Sequence, residues 1–304
     1  MRRPDFQRFS GPMGEDKGRI WAVLAASGGA ALLGFTPIAM RVSELGPQAT
    51  NFWRFALALP ILAVMAAAGG PKPDSRQTGW LLLAGLMFGL EISLWAAALD
   101  FTTVANATLL ANMTPLFAAA FAWVLLKERL SGSVLAGGVT ALIGAIVLAL
   151  ARAQSGQGPS PEQGWLGDGL GLTAAIGYAG YLLIVRSLRG RVGVGPVMFW
   201  AGLASAAFAL AAALVMREPL IPRTFETWAL LIALALGAQV LAQGLIAWGV
   251  GRLPIALSTV LLWLQPLSAA ALSWLLFDER LGWLALCGAA LILGGVFVVQ
   301  RARA

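Results

Sequence analysis

The chain contains one block of sequence twice. Residues Ala105 to Arg152 recur without a gap 151 positions later, from Ala256 to Arg303, with roughly 20 of about 48 positions identical. Pro115 falls on Pro266, Trp123 on Trp274, and Glu128, Arg129 and Leu130 fall on Glu279, Arg280 and Leu281. Shared apolar composition does not produce so many identities, so any fold must be built from two copies of one unit. The first part of each unit repeats more loosely. Gly46-Pro47 and Phe52-Trp53 resemble Gly195-Pro196 and Phe199-Trp200, and Trp80 with Gly89 resembles Trp228 with Gly237.

Composition places both copies in a bilayer. With 59% hydrophobic and 12% charged residues, the chain has too little polar surface to coat a water-soluble ball. The net charge of +7 would suit nucleic acid if it lay on one face. Instead the basic residues fall in short gaps between apolar runs, which is a topology pattern, and no nucleic-acid partner is expected. The chain has no histidine and one cysteine, Cys287, so it cannot build a disulfide framework, a common Cys/His metal site or a His-based triad. Gly193 and Gly195 form a G-x-G, but proline follows and no strand precedes it, so it is not a nucleotide loop. No metal or cofactor is expected.

A spanning helix needs about 20 apolar residues, and ten stretches qualify: Ile20 to Met40, Thr50 to Ala68, Gly79 to Leu99, Thr103 to Leu126, Val134 to Ala151, Leu166 to Val185, Gly195 to Met216, Thr227 to Gly249, Ile255 to Phe277 and Trp283 to Val299. The first 18 or so residues are polar and lack the layout of a cleaved signal peptide. The expected organisation is a cytosolic tail (1–18), a five-helix unit (19–152), a polar linker (153–164) and a second five-helix unit (165–304). With the N-terminus inside, the cytosolic segments hold about 15 Lys and Arg residues and the outer loops about 5, which predicts both termini inside. Five is odd, so the second unit enters the membrane from the opposite side. The fold class expected is an all-α membrane protein of ten helices, two inverted five-helix repeats around a central cavity.

The mid-helix prolines Pro115 and Pro266 and the K-E-R-L and D-E-R-L endings, each twelve residues beyond its proline, resemble the EamA-type transporters of the drug/metabolite transporter superfamily. Among these, the tryptophan-rich sequence looks most like the YddG type. The resemblance implies a multi-pass protein of the bacterial inner membrane that exports aromatic or other neutral amino acids by alternating access, and that is not an enzyme. Exporters of lipophilic cations, drugs, or thiol and sulfonium metabolites form the alternative, and nucleotide sugars fit less well with so few buried cations. Lipid and a small-molecule substrate are the partners expected, with protons as a candidate coupling ion. A monomer suffices, because one chain holds both halves.

Several residues carry the chemistry such a carrier needs. Arg54 and Glu91 lie inside apolar runs, about 8 Å from the outer end and about 18 Å from the inner end of their helices at 1.5 Å per residue. An intramembrane ionisable residue marks a functional site by default. Arg54 is a candidate for a substrate carboxylate and Glu91 for a proton, and a neutralised structural pair is the alternative. Gln239 and Gln243 are four apart, on one face of a helix, and line either the cavity or a helix interface. Pro115 and Pro266 each remove a backbone donor, freeing the carbonyls of Ala111 and Leu262, and are the candidate hinges. Asn112, Thr114, Trp263 and Gln265 stand beside them as repair partners or substrate contacts. Trp53, Trp95, Tyr178, Tyr181, Trp200, Trp248 and Trp263 are candidate aromatic walls for a side chain and an ammonium. Trp21, Trp80, Trp165, Trp228 and Trp283 sit at helix ends as interfacial anchors. Asp278, Glu279 and Arg280, like Lys127, Glu128 and Arg129, are expected as polar helix ends with local ion pairs, and their recurrence allows a second use as gate latches.

Overall fold

The structure, a computed structural model, describes residues 12–126, 131–156, 159, 161–188, 191–250, 252–253, 261–262 and 264–301. These residues are all-helical. Eight helical stretches are long and apolar enough to cross a bilayer, and two shorter apolar helices, Leu264–Phe277 and Trp283–Val299, accompany them.

The helices are α1 (Pro12–Leu33), α2 (Thr36–Val42), α3 (Pro47–Ala68), α4 (Ser75–Ala98), α5 (Val104–Ala111), α6 (Thr114–Leu126), α7 (Gly132–Ser155), α8 (Gly164–Leu188), α9 (Val194–Val215), α10 (Phe225–Ala233) and α11 (Gln243–Val250). They continue with α12 (Leu264–Phe277) and α13 (Trp283–Arg301). Local chemistry sets several starts. Asp74 and Gln77 close a reciprocal capping box at α4, and the hydroxyls of Thr103, Ser131 and Thr224 accept from the first free N–H groups of α5, α7 and α10. Pro37 and Pro47 stand in the first turns of α2 and α3, where a missing N–H costs little.

Among the described residues three spans depart from a continuous α-helix, the first of them at Gly34 and Phe35 between α1 and α2. The fourth breaks at Asn112 and Met113, immediately before Pro115, into α5 and α6. The carbonyl that proline leaves free, Ala111 O, accepts from Thr114 Oγ1 at 2.9 Å, and Asn112 Nδ2 donates to Thr108 O at 2.8 Å. Thr114 therefore repairs the break, as a helix in lipid requires, while Asn112 adds a second donor to a carbonyl already bonded within α5. The eighth span carries a π-helical stretch, Leu234–Ala242, between α10 and α11. Such widened turns are rare in helices.

Packing joins the first half to the second throughout. α7 lies along α13, α3 along α9, α4 against α8 and α9, and α1 against α11, α12 and the π segment. α5 and α6 pack on α8, α5 also on α12, and α3 on the π segment. Close backbone approach requires glycine at these seams. A Cβ on Gly85 would stand 2.2 Å from Ala201 O, and one on Gly34 2.0 Å from Ser268 Oγ. Contact enthalpy and small residues drive such packing in lipid, where burial of apolar surface brings little.

One end of the bundle gathers the turns before α3, between α4 and α5, before α8, before α10 and after α12. Arg41 reaches Leu99 O, Thr102 O and Glu279 there, and Asp168 meets Thr102 and Arg152. Glu44 accepts from the N–H groups of Arg223 (2.6 Å) and Thr224 (3.1 Å), while Glu218 accepts from Ala49 N at 2.7 Å. We call this the Arg41 end. The Thr224 N–H holds the Glu44 carboxyl below the usual glutamate range, whereas burial raises that of Glu218 against the opposing N–H of Ala49.

Candidate functional site

The chain has only two tyrosines, and the fold stacks them on each other at mid-bundle. Tyr178 and Tyr181 of α8 lie with ring centroids 5.6 Å apart and planes 13° from parallel. Phe88 of α4 stacks on Tyr181 at 5.0 Å, and Phe55 of α3 meets Phe88 edge-on at 5.7 Å. This column takes two rings from each half. Trp95 is buried in the same cluster, which also includes Ile92, Ala238, Ala242 and Phe277.

Beside the column stand the two intramembrane charges. Arg54 is only 2% exposed, and its guanidinium lies 5.7 Å from the Phe55 ring centre. Glu91 backs onto Gly177, where an added Cβ would come within 3.2 Å of the Glu91 Cβ, one residue from Tyr178. Arg54 and Glu91 carry opposite charges on the packed helices α3 and α4. Yet Arg54 and Glu91 form no ion pair within 4.0 Å among the described residues. Arg54 Nε and Nη1 and Glu91 Oε2 are buried without a hydrogen-bond partner there. Native interiors seldom leave such groups unmet, and an intramembrane arginine is costly unless something pairs with it.

Further polar groups extend the site along α3. Gln48, Asn51 and Arg54 are three residues apart and all buried. Gln48 Nε2 donates to Ser93 O (3.2 Å) and Asn51 Nδ2 to Ile92 O (3.3 Å), pinning α3 to α4. Their oxygens, Gln48 Oε1 and Asn51 Oδ1, remain without protein partners, as does Gln239 Oε1 in the π segment. The buried groups without protein partners thus include donors on Arg54 and acceptors on Glu91, Asn51, Gln48 and Gln239. Donors and acceptors together are what a small zwitterion requires.

The structure separates the residues singled out from sequence. It brings Arg54, Glu91, Trp95, Tyr178 and Tyr181 together. Trp53 lies elsewhere: its indole N–H donates to Leu220 O at 2.6 Å and its ring meets Trp228 edge-on at 4.9 Å. Trp200 packs with Leu81, Leu188 and Val192 in a separate cluster. Trp248 is 43% exposed, with the Arg252 guanidinium 4.3 Å from its ring. Gln243 and Gln265 are half-buried, and Pro266 is buried in the first turn of α12. Trp263 and the Lys127–Arg129 ending lie outside the described residues. Sequence reasoning missed Gln48, Asn51, Phe55 and Phe88, although the three-residue spacing of Gln48, Asn51 and Arg54 was visible as a polar stripe opening an apolar helix.

Residues 20–150 and 165–301 each match the EamA-like transporter family. The chain belongs to that family. It is 28% identical over 280 residues to a probable terminal-alkyne amino-acid exporter of Streptantibioticus cattleyicolor, covering 88% of each protein. It is 22% identical to a pseudopaline exporter of Pseudomonas aeruginosa over 252 residues, 83% of this chain and 85% of that one. A protein of known crystal structure shares the fold with a TM-score of 0.62 and 22% identity, over 93% of this chain and 98% of its own. This member of the family is accordingly a multi-pass membrane protein, and these two relatives are named as exporters of small molecules.

Proposed function

We propose that this EamA-family protein exports aromatic or other neutral amino acids, or closely similar zwitterionic metabolites, from the cytosol by alternating access. The observation that carries this reading is the ring column from both halves standing beside unpaired Arg54 and Glu91. Arg54 takes the cargo carboxylate, and the ring faces with Glu91 and the amide oxygens take its ammonium and side chain. A charged pair that meets through the cargo, and not directly, favours the loaded site over the empty one.

Ten spans in two inverted repeats, 19–152 and 165–304, with both termini in the cytosol, are part of the same proposal. The packing pairs support it. Numbering the spans in chain order, each of the most extensive pairs between the halves has a counterpart when a span is exchanged for the one five places on. Third against sixth (α4, α8) answers to eighth against first, and third against seventh (α4, α9) to eighth against second. Fourth against sixth answers to ninth against first, while second with seventh, fifth with tenth and fourth with ninth are their own counterparts. Rocking of one half on the other, bending at Pro115 and Pro266, then moves the site from one side to the other.

The test is counterflow in proteoliposomes with phenylalanine, tryptophan and their methyl esters and amines. Wild-type exchange of the free amino acids is expected. Arg54→Gln should lower it at least about tenfold, the scale of one lost charge-assisted contact, while Trp248→Ala stays near wild type. Exchange of amines with no loss in Arg54→Gln would instead favour the lipophilic-cation reading, which Glu91 beside aromatic rings supports. A pH gradient applied to wild type and Glu91→Gln tests proton coupling, and an unchanged response in the variant would remove Glu91 from that role.

A further inference from the structure

The Arg41 end holds buried charged groups that the cargo site does not use. Arg41 of α2 donates from Nη1 to Glu279 Oε1, and from Nη2 to Leu99 O (3.0 Å) and Thr102 O (2.8 Å), with its guanidinium 5.1 Å from the Phe277 ring centre. The two side chains are only 15% and 8% exposed. The other oxygen of Glu279 accepts from Ser273 Oγ and from the N–H of Val104 (3.0 Å) at the start of α5. A second carboxylate, Asp168 of α8, accepts from Thr102 Oγ1 (2.7 Å), Asn106 Nδ2 (3.1 Å) and Arg152 Nε (3.1 Å), all from the first half. Thr102 is shared: its carbonyl meets Arg41 and its hydroxyl meets Asp168. The segment from Thr102 to Asn106 is thereby gripped by two carboxylates of the second half.

We propose that Arg41 with Glu279, backed by Arg152 with Asp168, is a latch that shuts the Arg41 end of the pathway and is released when that end opens. The inference rests on the transporter reading above. A buried ion pair adds little to stability compared with apolar packing, because both ions must be stripped of water, but breaking it while dry is costly. Once an end opens, water reaches both partners and separation becomes cheap. The contact is therefore strong in one state and weak in the other, which is what a two-state gate needs. The neighbouring pair Arg280 with Asp278 is exposed and local, two residues apart, and spans no seam.

Spin labels at Val42 and Gly282, on opposite sides of this seam and both exposed, report its opening in the purified full chain with Cys287→Ala. The distance distribution requires no cargo. Wild type is expected to be mostly short. Glu279→Gln combined with Asp168→Asn should raise the ratio of long to short by about tenfold, equivalent to about 1.4 kcal/mol. Arg41→Gln, which removes the other charge of the pair, should shift the ratio in the same direction. An unchanged distribution in the folded neutralised variant overturns the latch. Should that variant not fold, bridging cysteines at Val42 and Gly282 with a short bifunctional reagent decides the matter, because export by the bridged wild-type chain at the full rate also overturns it. Failure of wild type to transport any cargo would sink the exporter reading instead, leaving the distance result standing.

Discussion

The two ends of the bundle are closed by different chemistry. At the Arg41 end the halves meet through side chains: Arg41 with Glu279, Asp168 with Thr102, Asn106 and Arg152, Glu44 with the start of α10, and Glu218 with the start of α3. At the other end, among the described residues, the closest approaches between them are of backbone on backbone, beside an apolar cluster of Leu81 with Leu188 and Val192. Gly193 N donates to Pro71 O at 3.0 Å, Gly70 (φ +76°) leaves 3.0 Å for a Cβ against Gly193 Cα, and a Cβ on Gly195 would stand 2.3 Å from Met65 O. Hydrated charges can part and re-form, whereas glycine-lined seams depend on shape and tolerate no added atom. The first kind of closure suits a contact that cycles, and the second suits a pivot.

The largest effect should come from leaving one buried charge alone. Glu279→Ala strands Arg41 and is expected to destabilise the folded protein by about 3–5 kcal/mol, measured by thermal unfolding in detergent. Glu279→Gln should cost clearly less. A loss below 1 kcal/mol or so in the alanine variant would mean that water already reaches the pair. At the opposite end Gly195→Ala forces a Cβ into Met65 O and should cost about 1–3 kcal/mol without shifting the Val42 to Gly282 distances. If those distances do shift, the glycine seam is not a passive pivot.

A third prediction uses the repeat. Glu128 is the counterpart of Glu279 151 positions earlier, and it lies outside the described residues. If both ends are latched in alternation, Glu128→Gln should move the Val42 to Gly282 ratio toward short, opposite in sign to Glu279→Gln. The same sign for both would break the comparison.

The smallest effects are in pH. The Glu44 carboxyl is held below its ordinary value of 4.5, so the stability it contributes is present above that value and is lost as pH falls through the lower folded value. Glu218 is raised by burial, so its contribution runs the other way, present below the ordinary value and lost as pH rises through the higher folded one. Melting curves should therefore show Glu44→Gln losing part of the acid sensitivity of wild type and Glu218→Gln losing part of the sensitivity on the higher-pH side. Matching pH profiles for the two variants would contradict this assignment.

Much of the candidate site was legible in the linear chain. Arg54 and Glu91 stand out because hydrocarbon tolerates few charges, and the tyrosines and Trp95 followed from the need for ring faces. The fates of Trp53, Trp200 and Trp248 were not legible. A tryptophan at mid-span can face a cavity, a neighbour or lipid, and helical phase alone does not say which neighbour arrives. Arg41 and Arg152, two of the basic residues in the outer-loop count, are partly and almost fully buried respectively, and Glu279 was expected to pair locally but reaches another helix. The π segment left no mark in the sequence either; α1 and α3 both pack on it.

Apolar run length, charge placement and the duplicated block are properties of the chain read one residue at a time, and these determined that it is a helical membrane protein made of two related units, with the prolines and intramembrane charges named. Hydrophobic length acts on each span separately, so no partner is needed to read it. Which unmet donor faces which unmet acceptor, and which charges hold an end shut, depends on residues 60 to 240 positions apart meeting across helix seams. Packing decides those meetings, and only the tertiary structure records it.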